Sequence, residues 1–134
     1  MNSRNGEAND VEVRGMREYD SNQVEELLAG SRFIEDPTER TCPACGNRAV
    51  RTYVYRNVAA HRTTRITYTW CAVCRRFKGW TGPDLGELAF SDPLGSLSPA
   101  DRREMEQGFD RFFETLDKLW SAGELPQKFA RLRS

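Results

Sequence analysis

Carboxylates are missing from the middle of this 134-residue chain: residues 40–82 hold nine arginines and lysines and no aspartate or glutamate. Histidine occurs once, at His61. No uninterrupted apolar run approaches the roughly 18 residues of a membrane-spanning helix, and the first 20 residues are polar and acidic, without the apolar core of a signal peptide. These absences point away from membrane-spanning and exported classes and toward a cytoplasmic protein. Catalysis finds equally little support. There is no Ser/His/Asp order, no phosphate-cradling glycine loop and no His-rich cluster, and the scattered carboxylates lack motif spacing. The expectation is a protein that is not an enzyme and has no small-molecule substrate.

What is present is segregated by charge. Residues 1–39 carry four basic and ten acidic side chains, residues 40–82 nine basic, and residues 83–134 seven basic and ten acidic, giving −6, +9 and −3 within a net charge of zero. A basic middle suits a polyanion, or is matched by the acidic flanks of its own chain. The length suits one domain, read as a flexible extension over 1–19 followed by a single unit over 20–134. Within 1–19, Asn, Ser, Gly and Glu dominate and leave too little apolar surface to offset ordering entropy.

Asp20, Ser21 and Asn22 offer caps ahead of Val24, Leu27 and Leu28, predicting a short helix near 22–29 that Gly30 ends in a left-handed conformation. From Thr41 the texture turns β-branched, aromatic and Arg-rich, and Val50–Asn57, Thr63–Cys71 and Arg75–Thr81 read as strands. Ile66, Tyr68 and Trp70 alternate with Arg65, Thr67 and Thr69, which predicts one packed face and one wet face. Residues 83–97 have the Gly, Pro, Ser and Asp density of a loop. Ser98, Pro99 and Asp101 then open a long helix over about 99–121. Its stripe is Met105, Phe109, Phe112, Phe113, Leu116, Leu119 and Trp120, and its stop is Gly123. Gly108 inside that stripe suggests a close approach to a strand, and Leu125, Phe129 and Leu132 suggest a tail that folds back.

Cys42-Pro43-Ala44-Cys45-Gly46 and Cys71-Ala72-Val73-Cys74 are two Cys-x2-Cys pairs 25 residues apart. Two residues between ligands let a tight turn aim both sulfurs at one point, and two such turns complete a tetrahedral site. One structural Zn2+ on Cys42, Cys45, Cys71 and Cys74 is the leading expectation; a redox dithiol, a disulfide pair and a rubredoxin-type iron centre are the alternatives. Four thiolates close the coordination shell, which leaves no open position for catalysis. A zinc ribbon over 41–82 follows, three antiparallel strands covered by the long C-terminal helix and the short N-terminal one, an α+β fold.

The run from Cys42 to Trp80, with an aromatic strand entering Cys71 and Trp80 six residues after Cys74, resembles the C-terminal ribbon of transcription elongation factor S and the small ribbon subunits of RNA polymerase. The resemblance spans about 40 residues and implies the ribbon fold. In that family an acidic pair at the hairpin tip promotes transcript cleavage, whereas Ala59, Ala60, His61, Arg62 and Thr63 stand there in this chain, so the activity is not implied. Two binding classes remain. The first is a protein-binding adaptor, regulator or inhibitor that uses the tip around His61 and Arg62. The second is a nucleic-acid-binding ribbon that uses Arg51, Arg65 and Arg76 among Tyr53, Tyr55, Tyr68 and Trp70.

Overall fold

The structure, a computed structural model, describes residues 12–13, 16–30, 32–33, 35–58 and 61–132. The segment 1–11 and the tip residues 59–60 lie outside these, and with them most of the expected extension. Three long strands form the centre: β4 (Arg48–Val58), β5 (Thr63–Cys71) and β6 (Arg76–Pro83). Their antiparallel register pairs Arg51 with Trp70, Tyr53 with Tyr68 and Tyr55 with Ile66, and Trp70 with Phe77 and Tyr68 with Gly79. Directly opposed residues share a face, so this register assembles one aromatic surface. A Cβ on Gly79 would lie 3.1 Å from Tyr68 Cε1, so the absent side chain makes room for the tyrosine ring.

The three-stranded sheet expected from the sequence is the core of a six-stranded one, ordered β1-β2-β6-β5-β4-β3 with β1 (Glu12–Val13), β2 (Met16–Glu18) and β3 (Arg40–Thr41). β2 runs parallel to β6. Met16 is fully buried and Tyr19 nearly so, which corrects the flexible extension: its last residues belong to the sheet and the core. Next, α1 (Ser21–Leu28) starts at an Asp20–Gln23 capping box. It ends at Ala29 in a right-handed conformation, and Gly30 is not among the positive-φ residues, so the expected left-handed stop is absent.

The single helix expected over 99–121 is two, α2 (Pro99–Glu106) and α3 (Phe109–Ser121), separated at Gly108 with φ −114° and ψ 83°. Nothing approaches Gly108 closely, the nearest atom to a built Cβ being Asp110 Oδ1 at 3.7 Å. Its role is the break itself. The two halves bind the sheet by different chemistry. On α3, Phe112, Phe113 and Leu116 are fully buried, with Phe113 stacked on Trp70 at 5.3 Å and Phe112 edge-on to Tyr68 at 5.2 Å. On α2 no residue is buried. Instead Glu106 Oε2 accepts from the Tyr55 and Tyr68 hydroxyls at 2.8 and 2.7 Å. Arg102 lies over the Tyr55 ring at 3.9 Å and donates to Tyr53 Oη and Asp92. Burial first, then these acceptors, raise the Tyr55 and Tyr68 phenols well above their ordinary range.

The loop and tail also differ from expectation. β7 (Leu88–Phe90) and β8 (Phe129–Arg131) pair antiparallel in a second small sheet. Between α3 and β8, Leu125 enters the main core and Gln127 is buried. Beyond its short pairing with β3, no strand among the described residues lies beside β4 on that side. The Gln127 amide fills the gap by accepting from Val54 N–H at 2.9 Å and donating to Val54 C=O at 2.8 Å. One side chain thereby acts as a strand. Replacing Gln127 with Ala strands both groups of a fully buried residue, so stability measured by urea unfolding should fall by about 2–4 kcal/mol.

Candidate metal centre

Two turns with the same construction carry the four cysteines. In the first, Gly46 N–H donates to Cys42 C=O at 2.9 Å; in the second, Arg75 N–H donates to Cys71 C=O at 3.1 Å. The residue closing each turn is left-handed, Gly46 at φ +80° and Arg75 at φ +66°. Glycine takes this conformation freely, whereas an L side chain costs roughly 1–2 kcal/mol. Arg75 offsets the cost through its side chain, which bonds Asp117 Oδ2 at 3.2 Å. Amides inside the turns point at sulfur: Ala44 N–H at Cys42 Sγ, 3.3 Å, and Val73 N–H at Cys71 Sγ, 3.4 Å.

The ligand atoms of Cys42, Cys45, Cys71 and Cys74 all lie within 4.8 Å of one another. Cys42 Sγ is 3.6 Å from Cys74 Sγ, and Cys45 Sγ is 3.7 Å from Cys71 Sγ. Disulfide sulfurs sit at about 2.05 Å, and all four cysteines are free. A tetrahedral ion with sulfurs at about 2.3 Å separates its ligands by about 3.8 Å, so the four sulfurs fit one such metal ion. The surroundings treat the sulfurs of Cys45, Cys71 and Cys74 differently. Burial raises the Cys71 thiol and pushes Cys74 up to about 12, while the Asn47 side-chain amide, 3.3 Å from the exposed Cys45 Sγ, and the Asn47 backbone N–H lower Cys45 to about 6. A cation at their centre would favour the thiolate at each.

Tyr19 and Asn47 belong to this site although the spacing of the cysteines does not point to them. The Tyr19 hydroxyl is 3.1 Å from Cys42 Sγ, and burial, with that contact second, raises its phenol far above the ordinary value. Tyr19, Leu27, Cys42, Ala49, Val50 and Cys71 form a second buried cluster, which ties α1 to the sulfurs. The signal for Asn47 is its place directly after Gly46, where its carbonyl also accepts from Cys42 N–H at 2.8 Å.

The five expected contact residues are not brought together. Arg51 lies on the α3 face and pairs with Glu39 and Asp117, both at 2.8 Å. Arg65, on the opposite face, pairs with Glu87 at 3.2 Å. Arg76 Nη1 reaches Glu18 C=O at 3.5 Å, and His61 and Arg62 are exposed beside the hairpin tip. Arg56 and Arg75 are paired with Asp84 and Asp117, and Lys78 lies 4.0 Å from Glu18. The acidic flanks therefore answer most of the basic middle segment. Asp117 is the hub, its Oδ1 also accepting from Trp70 Nε1 at 2.9 Å. Tyr53, Tyr55 and Trp70 are buried beneath the helices.

Nor is the second sheet face wet. Thr67 and Thr69 are buried and floor a cavity of about 260 Å³ walled by Leu27, Leu28, Phe33 and Trp80. No helix among the described residues is long and apolar enough to cross a membrane. Comparison of the chain with protein-family models, with curated proteins and with solved structures finds no match in any of the three.

Proposed function

We propose that the four cysteines hold one structural Zn2+ in a ribbon like that of elongation factor S, and that the protein is not an enzyme but binds another protein as an adaptor, regulator or inhibitor. Its class would be that of transcription-machinery regulators or of small immunity-type inhibitors. One observation supports this reading over nucleic-acid binding: among the described residues Arg51, Arg56, Arg65, Arg75 and Lys78 of the ribbon are already paired with the chain's own carboxylates, as in Arg51 with Glu39 and Asp117. A phosphate contact at Arg51 or Arg65 has to displace an existing ion pair, and the aromatic rings that would stack on bases are covered. A dedicated nucleic-acid binder usually presents a net basic face, and this chain is neutral.

The test is affinity capture from the source cell with and without nuclease, beside a salt titration against a generic oligonucleotide. The expected outcome is a protein retained after nuclease and no oligonucleotide binding at physiological salt. Micromolar oligonucleotide binding that falls steeply with log salt, and is lost when Arg51, Arg65 and Arg76 become Ala, would transfer the assignment to nucleic acid. The hairpin approach at His61 and Arg62, exposed and without ion pairs among the described residues, is the contact surface suggested by the sequence.

A further inference from the structure

The outer edge of β6 is paired over only part of its length. Arg17 N–H donates to Arg75 C=O at 3.1 Å and Tyr19 N–H to Phe77 C=O at 2.9 Å. The main-chain groups of residues 75 and 77 therefore face β2, and strand alternation turns those of Gly79 and Thr81 the same way. After Tyr19 the chain leaves this line at the Asp20 cap and enters α1. Among the described residues no strand continues beside Gly79–Pro83 on that side, and no side chain bonds the outward groups of Gly79 or Thr81. Both residues are exposed. Sheet edges are ordinarily blunted by charge, a covering element or a bulge, yet residues 79–83 carry no charged side chain.

A cavity of about 330 Å³ borders this edge, lined by Phe33, Trp80 and Leu85 on one part of its wall and by the charged Arg65, Glu87 and Arg131 on another. It shares Phe33 and Trp80 with the 260 Å³ cavity over the threonines, so the two adjoin at the Trp80 ring. Leu28 and Leu85, each more than three-fifths exposed, stand at the margins. Arg32 also lines the cavity, and its guanidinium forms no ion pair among the described residues. The edge thus offers unpaired main-chain donors and acceptors, the apolar wall of the adjoining 260 Å³ cavity at Leu27, Leu28, Phe33 and Trp80, and in Arg32 a cation without an ion pair among the described residues.

We infer that this edge receives an extended segment of a partner protein as an added strand beside Gly79 and Thr81, with a large apolar side chain seated against Trp80 and a neighbouring carboxylate meeting Arg32. Main-chain hydrogen bonds hold such a strand and alternate side chains select it. The inference rests on the protein-binding reading and moves its contact from the hairpin around His61 and Arg62 to the β6 edge.

The probe is a displayed library of random 12-residue peptides selected on the intact, zinc-loaded chain. The expected winners pair an aromatic or large aliphatic residue with an adjacent Asp or Glu, and their binding slows amide hydrogen exchange at Gly79 and Thr81, which exchange freely in the unbound protein. Thr81→Pro, which removes an outward donor, should weaken binding at least about tenfold, and N-methylation of the peptide at alternate residues should do the same to the unaltered protein. Thr81→Val keeps the donor and should bind normally. No enriched peptide, or peptides indifferent to N-methylation, would overturn the edge. So would peptides lost with Arg62→Glu but kept with Thr81→Pro, which would move the contact to the hairpin. A dimer that sediments as monomer with Thr81→Pro would give the edge to a second copy and overturn it too. A cellular partner retained by the Thr81→Pro chain would overturn the edge while leaving the adaptor reading intact; no retained protein at all would remove both.

Discussion

Stripping the metal with a chelator, or replacing Cys71 with Ser, should unfold the ribbon. A structural zinc in a small domain contributes on the order of 10 kcal/mol to folding, comparable to the entire net stability of a domain, about 5–15 kcal/mol. The sulfurs terminate both turns and join β3, β4, β5 and the start of β6, while Cys42 and Cys71 sit in the same buried cluster as Tyr19 and Leu27. Loss of such an ion should therefore release α1 along with the hairpin. Burial keeps the Cys71 and Cys74 thiols protonated until a cation arrives, so loading must expel protons. A thiolate is the form that binds a metal, so stability supplied by a bound zinc should be present at neutral and alkaline pH and lost on acidification. Elemental analysis of freshly purified, reduced protein should give one zinc per chain. Substantially less, or a fold that survives chelation but collapses in reductant, would replace zinc with disulfide chemistry.

Phe113→Ala should be the most damaging substitution away from the metal, at roughly 3–5 kcal/mol. Its ring is fully buried and meets those of Tyr68, Trp70, Phe77, Phe109 and Phe112 at centroid distances between 5.3 and 5.8 Å. Truncation leaves a void bounded by residues from two strands and one helix, and rigid aromatic neighbours collapse into it poorly. Denaturant unfolding of the zinc-loaded chain measures the loss. A cost under about 1 kcal/mol would mean that the stripe on α3 is seated on a partner and not on the sheet.

The features legible in the sequence are those written locally. Each Cys-x2-Cys turn contains its own geometry within five residues, and the Ile66, Tyr68, Trp70 alternation fixes a strand face without reference to anything distant. The Phe and Leu spacing of α3 fixes a helix face in the same way. What escaped is held by pairing across long separations. Met16–Glu18 becomes a strand because β6 supplies its partner, not because of any propensity in a three-residue segment, and β7 exists only opposite β8, with Leu88 aligned to Arg131. Tyr19 looks like linker until the fold carries it to Cys42. The break at Gly108 was visible as a helix weakness of about 1 kcal/mol, but its meaning depended on Glu106 and Arg102 finding tyrosines on the sheet. Whether the +9 segment was free or neutralised could not be decided before Asp117 was placed.

The division of the C-terminal arm at Gly108 sets two different opening energies. Lifting α3 exposes a fully apolar face to water. Lifting α2 exposes hydroxyls, a guanidinium and a carboxylate that water solvates readily, because α2 buries no residue of its own. Segments with few buried apolar contacts open locally at a fraction of the global unfolding energy, so the amides of α2, whose main apolar anchor is the half-buried Met105, should exchange faster than those of α3 around Phe112, Phe113 and Leu116.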